Sequence, residues 1–151
     1  MPNTQEMCNS AKREFLSGIH HLGTTVAHTG TAADALKVAL YLDTATVNKD
    51  TTEYATLNEV ADASYTAGGV AVTNANDPAL DTNTAHWTPS DSVTFGTLTA
   101  SNFDCALLYN DSEATKRAIA VFTFGSQTIV AGNFVLTMPV DDGSSGLIRL
   151  A

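Results

Sequence analysis

Four histidines, two cysteines and sixteen carboxylates are the side chains of this sequence with chemistry to offer. His20 and His21 are adjacent, so on a helix their rings point about 100° apart and cannot share a metal as an i, i+4 pair would. His28 stands alone among threonines, and His86 beside Trp87 reads as a packing pair at a strand end. Cys8 and Cys105 form no CxxC pair. Cys105, inside "FDCALLYN", reads as a small buried hydrophobe, and Cys8 as an incidental thiol near the chain start. No G-x-S-x-G elbow is present, and "GSSG" (Gly143 to Gly146) reads as a turn between two strands. Neither phosphate-binding glycine pattern occurs. Asn74, Asn76, Asp77, Asp81 and Asn83 form an oxygen-rich run that calcium could use, although Pro78 interrupts the spacing and the EF-hand glycine and glutamate are missing. Sixteen carboxylates could supply a glycosidase pair, but sequence spacing does not set two of them across one cleft. The expectation is a protein that is not an enzyme and holds no cofactor, with calcium at Asn74–Asn83 left open.

The charge pattern narrows the partners. Net charge is −9, and all seven lysines and arginines lie outside Asp50 to Thr115, which holds ten acids. Such a field repels phosphate backbones and anionic lipid, so neither nucleic acid nor membrane is expected as a partner. No run approaches the ~20 apolar residues of a membrane span. "MPNTQEMCNSAKREF" lacks the basic and apolar regions of a signal peptide, so synthesis in a cytoplasm is expected. The 22 threonines and 22 alanines suit strands, turns and close packing rather than catalysis.

Positioning elements follow from periodicity. "NSAKREFLSGIHHL" (Asn9 to Leu22) predicts a helix, with Ala11, Phe15, Ile19 and Leu22 on one stripe. Asn9 or Ser10 would cap it and Gly23 would stop it, with Gly18 a weak point in its second half. Phe15, Ile19 and Leu22 must cover something, either the domain's own sheet or another subunit, which makes them the candidate interface. "LKVALYL" alternates Leu36, Val38, Leu40 and Leu42 against a mixed face, predicting a half-buried strand. From Thr44 to Glu59 no period holds, predicting a long surface loop of the kind that is either functional or disordered. Gly68-Gly69 precede a strand at Val70 and Val72. Further strands are expected in "SVTFGTL", "DCALLYN", "RAIAVFTFG", "GNFVLTMP" and "GLIRLA". "RAIAVFTF" is apolar on both faces and so covered on both, while Phe134, Leu136 and Met138 alternate inward. The fold class is mainly β: a two-sheet β-sandwich or jelly roll with one short N-terminal helix. Residues 1–23 form an N-terminal arm and helix, and residues 34–151 the sandwich domain.

Four stretches together resemble a family of small proteins encoded by tailed bacteriophages and prophages. They are "LKVALYLDTAT" (Leu36 to Thr46), "YTAGGVAVT" (Tyr65 to Thr73), "CALLYND" with "KRAIAVFTFGS" (Cys105 to Ser126), and the terminal "GLIRLA". "REFLSGIHHL" fits the same pattern. The resemblance implies a virion structural protein from the head or tail gene region, with no active-site residues to carry over. A capsid decoration or cement protein is the leading expectation, bound to other virion proteins as a homo-oligomer, with a trimer first. A tail, baseplate or head–tail component, or a module binding host glycan or receptor, is the alternative.

Overall fold

The computed structural model describes residues 3–24, 32–90 and 92–151. In chain order the elements are β1 (Glu6–Met7), α1 (Asn9–Leu16), β2 (Leu36–Leu42), β3 (Val70–Val72), β4 (Ala79–Asp81), β5 (Thr84–Trp87), β6 (Ser92–Asn110), β7 (Ala118–Thr137) and β8 (Ile148–Leu150). They form two antiparallel sheets, ordered β1-β7-β6-β2-β3 and β4-β5-β8. Leu36, Val38, Leu40, Leu108 and Ile119 of the larger sheet share one core with Trp87 and Ile148 of the smaller. The protein is a mainly β, two-sheet sandwich with one short helix, the fold class expected, although β4 and β5 of the smaller sheet lie in "NANDPALDTNTAHW", whose asparagines, aspartates and proline read as turn chemistry.

The long hairpin β6–β7 departs from expectation. "SVTFGTL" and "DCALLYN" are one strand, and so are "RAIAVFTFG" and "GNFVLTMP". The glycines and polar residues between them mark bulges, not breaks. One register shift falls at Leu108/Tyr109, near the turn, and four more between Phe95/Leu98, Leu98/Ala100, Ser101/Phe103 and Phe103/Cys105. Each of these four is accompanied by a residue of positive φ: Thr97, Ala131, Asn102 and Gly125. An inserted residue bends and coils its strand. The outer half of the hairpin thereby delivers Val93, Phe95, Leu98 and Leu136 to the same core as β2. Phe103, Phe124 and Phe134 meet there edge-on or tilted, with centroids 4.9 to 5.9 Å apart. Ala118 to Phe122 are buried throughout, and Leu136 and Met138 point inward as the alternation requires.

β2 is not half-buried. Ala39 and Tyr41 are as enclosed as Leu36, Val38 and Leu40, because the second face of the larger sheet has its own cover. That cover comes from two places. Ala45 and Val47 are buried from the segment after β2, which also bridges the sheet at Tyr41–Glu59 and Glu53–Arg117. Thr44 to Glu59 is therefore not a free surface loop: a handful of small apolar side chains and backbone bonds fix it to the sheet. Cys8 and Ala11 supply the rest of the cover. Cys8 is fully buried, and burial, then the nearby Glu14 charge, pushes its thiol up to about 12. It is a core residue rather than an incidental thiol. Cys105 is fully buried as expected, its thiol likewise raised by burial to about 12.

The helix is shorter than its apolar stripe. α1 ends at Leu16, and Gly18, at φ 67°, turns the chain out of the helix. Cys8 rather than Asn9 or Ser10 takes the N-cap position, without a side-chain cap bond. The β1 arm pairs with β7 in the larger sheet through Glu6–Val121 and Met7–Ala120. Among the described residues no helix is long and apolar enough to cross a membrane.

Candidate functional site

Three places gather the side chains with chemistry. The first is built around Glu59, at the end of the segment that covers the second sheet face. Its carboxylate is 5% exposed and accepts three hydrogen bonds: Tyr54 Oη at 2.6 Å, Tyr65 Oη at 2.8 Å and Gly68 N at 2.7 Å. Tyr54 stacks on Tyr109 with ring centres 4.8 Å apart, and Tyr109 Oη donates to Gly68 O at 2.9 Å. Tyr41 Oη donates to Ala55 O at 2.7 Å. All four tyrosines of the chain thus converge on one carboxylate and the backbone beside it. A general base needs an oxygen free to take a proton from substrate. Here both oxygens face donors of the fold, so Glu59 ties Tyr54, Tyr65 and the Gly68-Gly69 turn to the sheet.

Burial pushes all four phenols up, and the Glu59 charge adds to the effect. A phenol whose folded pKa is raised stabilises the protein fully below the ordinary tyrosine value of about 10. That contribution is lost as pH rises beyond it. Absorbance titration at 295 nm should therefore show no tyrosinate while the fold persists, and all four should ionise together with unfolding. Phenols titrating near pH 10 in a protein of unchanged circular dichroism would contradict this.

The second place joins α1 to the β6–β7 turn. Glu14 is 1% exposed. Its Oε1 accepts from Arg117 at 2.7 Å, and its Oε2 lies 3.1 Å from His20 Nε2. The other imidazole nitrogen, Nδ1, meets Asn110 Nδ2 at 3.0 Å. Asn110 Oδ1 already accepts from Ser112 N, so Nδ2 is the donor and His20 Nδ1 the acceptor. His20 therefore carries its proton on Nε2, facing Glu14. Asn110 Nδ2 also donates to Asp34 Oδ2, which accepts from His21 N as well. The bond from Glu14 holds the Arg117 guanidinium firmly charged. Both ring nitrogens are committed within the fold, and the network fastens the helix to the sheet.

Three of the five oxygen donors left open for calcium are bonded within the fold. Asn74 accepts from Gly23 N, Asn76 donates to Thr88 O, and Asp77 accepts from Thr24, so these side chains fasten neighbouring loops. Asp81 and Asn83 stand exposed at the β4–β5 turn. Among the described residues no three His, Cys, Asp or Glu side chains group to hold a metal. His86 Nδ1 pairs with Asp141 Oδ1 at 2.9 Å. His28 lies outside the described residues.

The third place is an apolar groove of about 540 Å³ between α1 and the smaller sheet. Phe15 and Leu22 line one wall, with Ala85, Trp87 and Ile148 on the other. Ala85 pairs with Leu150 and Trp87 with Ile148, so these four share the inner face of the sheet. Trp87 and Ile148 belong to the core, and the groove is that core continued to an open end. Of the candidate interface residues, Phe15 and Leu22 are half-buried against the core and line this groove, while Ile19 is half-buried outside it. Sequence reasoning missed Glu14 and Glu59. Glu14 bonds Arg117, 103 residues away, and the donors to Glu59, although within nine residues of it, come from irregular segments whose sequence has no period to bring them together.

The class these observations define is a two-sheet β-sandwich with polar clusters hydrogen-bonded within the fold and an apolar open end. Compared with known proteins, the chain matches no family model, no curated protein and no solved structure.

Proposed function

We propose that this chain is a structural component of a tailed-bacteriophage particle, most simply a capsid decoration or cement protein. It would be made in the host cytoplasm, work by contact rather than catalysis, and bind the particle surface as a homo-oligomer, a trimer first. The observation that carries this reading is the apolar groove, an interaction surface on a body whose polar clusters are internally bonded. The strand motifs that resemble phage and prophage proteins support it. Many copies on one particle turn modest contacts into firm attachment through effective concentration. The test is to purify particles of the encoding phage on a density gradient and count this chain per particle. Hundreds of copies, with heat- or osmotically fragile particles when the gene is deleted, are expected. A few dozen copies with tailless or non-adsorbing deletion particles would assign it to the tail instead. Absence from particles would end the structural reading.

A further inference from the structure

The larger sheet is interrupted on both sides of a single residue. On β2, Tyr41 and Leu42 pair in succession with Cys105 and Phe103, so Asp104 between them has no partner. On β7, Thr123 and Gln127 pair with Cys105 and Phe103, so Phe124, Gly125 and Ser126 lie opposite Asp104 alone. Such bulges interrupt the ladder and re-aim a side chain. Here that side chain is a carboxylate, and it is fully buried. Asn3 of the N-terminal arm is buried against it. Its Nδ2 donates to Asp104 Oδ1 at 2.5 Å and to Leu42 O at 3.3 Å, and its Oδ1 accepts from Val47 N at 2.8 Å. These bonds fix the amide, which gives Asp104 one donor and no charge.

Asp104 Oδ2 has no hydrogen-bond partner. Among the described residues no lysine, arginine or histidine pairs with Asp104 either. A carboxylate buried without a counter-charge is costly, and a water donating to Oδ2 would leave that charge uncompensated. The interruption gathers oxygen rather than donors. Phe124 O and Gly125 O accept only long bonds from Gln127 Nε2, at 3.4 and 3.3 Å. Ser126 Oγ lies 3.5 Å from Asp43 Oδ2, so the rim is acidic as well, in a chain of net charge −9. That field draws small cations from solvent. Zinc and calcium take several charged or multidentate ligands, whereas one carboxylate among neutral oxygens balances a single positive charge. Neutral oxygens of this kind replace the hydration shell of a monovalent ion.

We infer that Asp104 holds a monovalent metal cation, sodium or potassium, in the interrupted sheet beneath Asn3. The ion would fasten the N-terminal arm to the sheet through the Asn3–Asp104 bond. This goes beyond the particle reading and does not depend on it.

The probes are the chlorides of sodium, potassium and tetramethylammonium at matched ionic strength, and the readout is thermal unfolding of the full chain. Sodium or potassium should raise the midpoint above that in tetramethylammonium by roughly 3 to 10 °C, and the rise should saturate. Asp104→Asn keeps the shape and the acceptor for Asn3 but removes the charge, so it should lose the dependence on the cation. Asn3→Ala uncovers the carboxylate and should need more sodium for the same rise, which keeps the test open if Asp104→Asn does not fold. Equal midpoints in the three salts overturn the inference, and Asp104 is then neutralised by a proton. A rise that grows linearly with salt, or that Asp104→Asn retains, overturns it as a general salt effect. So does a response to calcium in place of sodium, which would need a second carboxylate at the ion.

Discussion

Replacing Gly69 with alanine is expected to prevent folding or to cost more than about 4 kcal/mol, the range reserved for substitutions that break the backbone's own packing. Gly69 has φ 73° and leads directly into β3, whose Val70 pairs with Val38 of β2. A Cβ at Gly69 would sit inside the van der Waals envelope of the Val38 carbonyl and against Ala39 Cα. Those are backbone atoms of a strand held by β3 on one side and β6 on the other, so they cannot give way as a flexible side chain would. The left-handed conformation adds its own penalty of about 1–2 kcal/mol. Gly18→Ala separates the two effects. It shares the positive φ, at 67°, but its Cβ would meet open space, so only the conformational penalty applies. Urea titration should place Gly18→Ala slightly below the parent and Gly69→Ala far below it or among insoluble proteins. Similar midpoints for the two variants would mean that the close approach of Gly69 to β2 is wrong.

The same two glycines show what sequence could and could not reveal. "YTAGGVAVT" signals a turn before a strand from its own residues, and that reading holds because turn chemistry is local. That the turn rests on β2 is a fact about residues some thirty positions earlier in the chain, which no local period records. The strands of β2, β6 and β7 were legible because alternation is read off neighbours. Their continuity was not, since a polar residue or glycine inside a strand signals an end and a bulge equally well. The anchoring of the Thr44 to Glu59 loop was hidden for a related reason. Ala45, Val47 and Tyr54 cover the second sheet face with few large side chains, and the bonds that fix the segment are to Tyr41, Asn3 and Lys116, remote in sequence. The groove was half legible: Phe15 and Leu22 announce an apolar stripe, but its other wall is Trp87 and Ile148, brought there by the smaller sheet. Long-range polar contacts such as those of Glu14 had no sequence signature, because a buried glutamate looks like an exposed one until its partner is placed.

Removing the Glu59 carboxylate is the second large expected effect. Glu59→Ala strands two part-buried phenols and one buried backbone N–H. Each orphaned buried donor costs about 1–3 kcal/mol, less where a hydroxyl can rotate to another acceptor. The net loss is expected at about 3–5 kcal/mol. Glu59→Gln keeps the volume and one acceptor oxygen, while its amide can donate to a rotated Tyr54 or Tyr65 hydroxyl, so it should lose roughly half as much. Tyr65→Phe removes a donor to Glu59 and also the acceptor for Leu40 N, and so should exceed Tyr54→Phe, which removes only the former. A double-mutant cycle of Glu59→Gln with Tyr65→Phe measured by urea unfolding should give a coupling of about 1–2 kcal/mol, as expected of directly bonded groups. Because Glu59 lies where the covering segment returns to the sheet, Glu59→Ala should also open residues 44–58 to protease before the rest of the chain unfolds. The contrary result is specific. A Glu59→Gln protein with undiminished stability, but with a lost activity or binding function, would mean that four tyrosines surround this carboxylate to make it react rather than to hold it still.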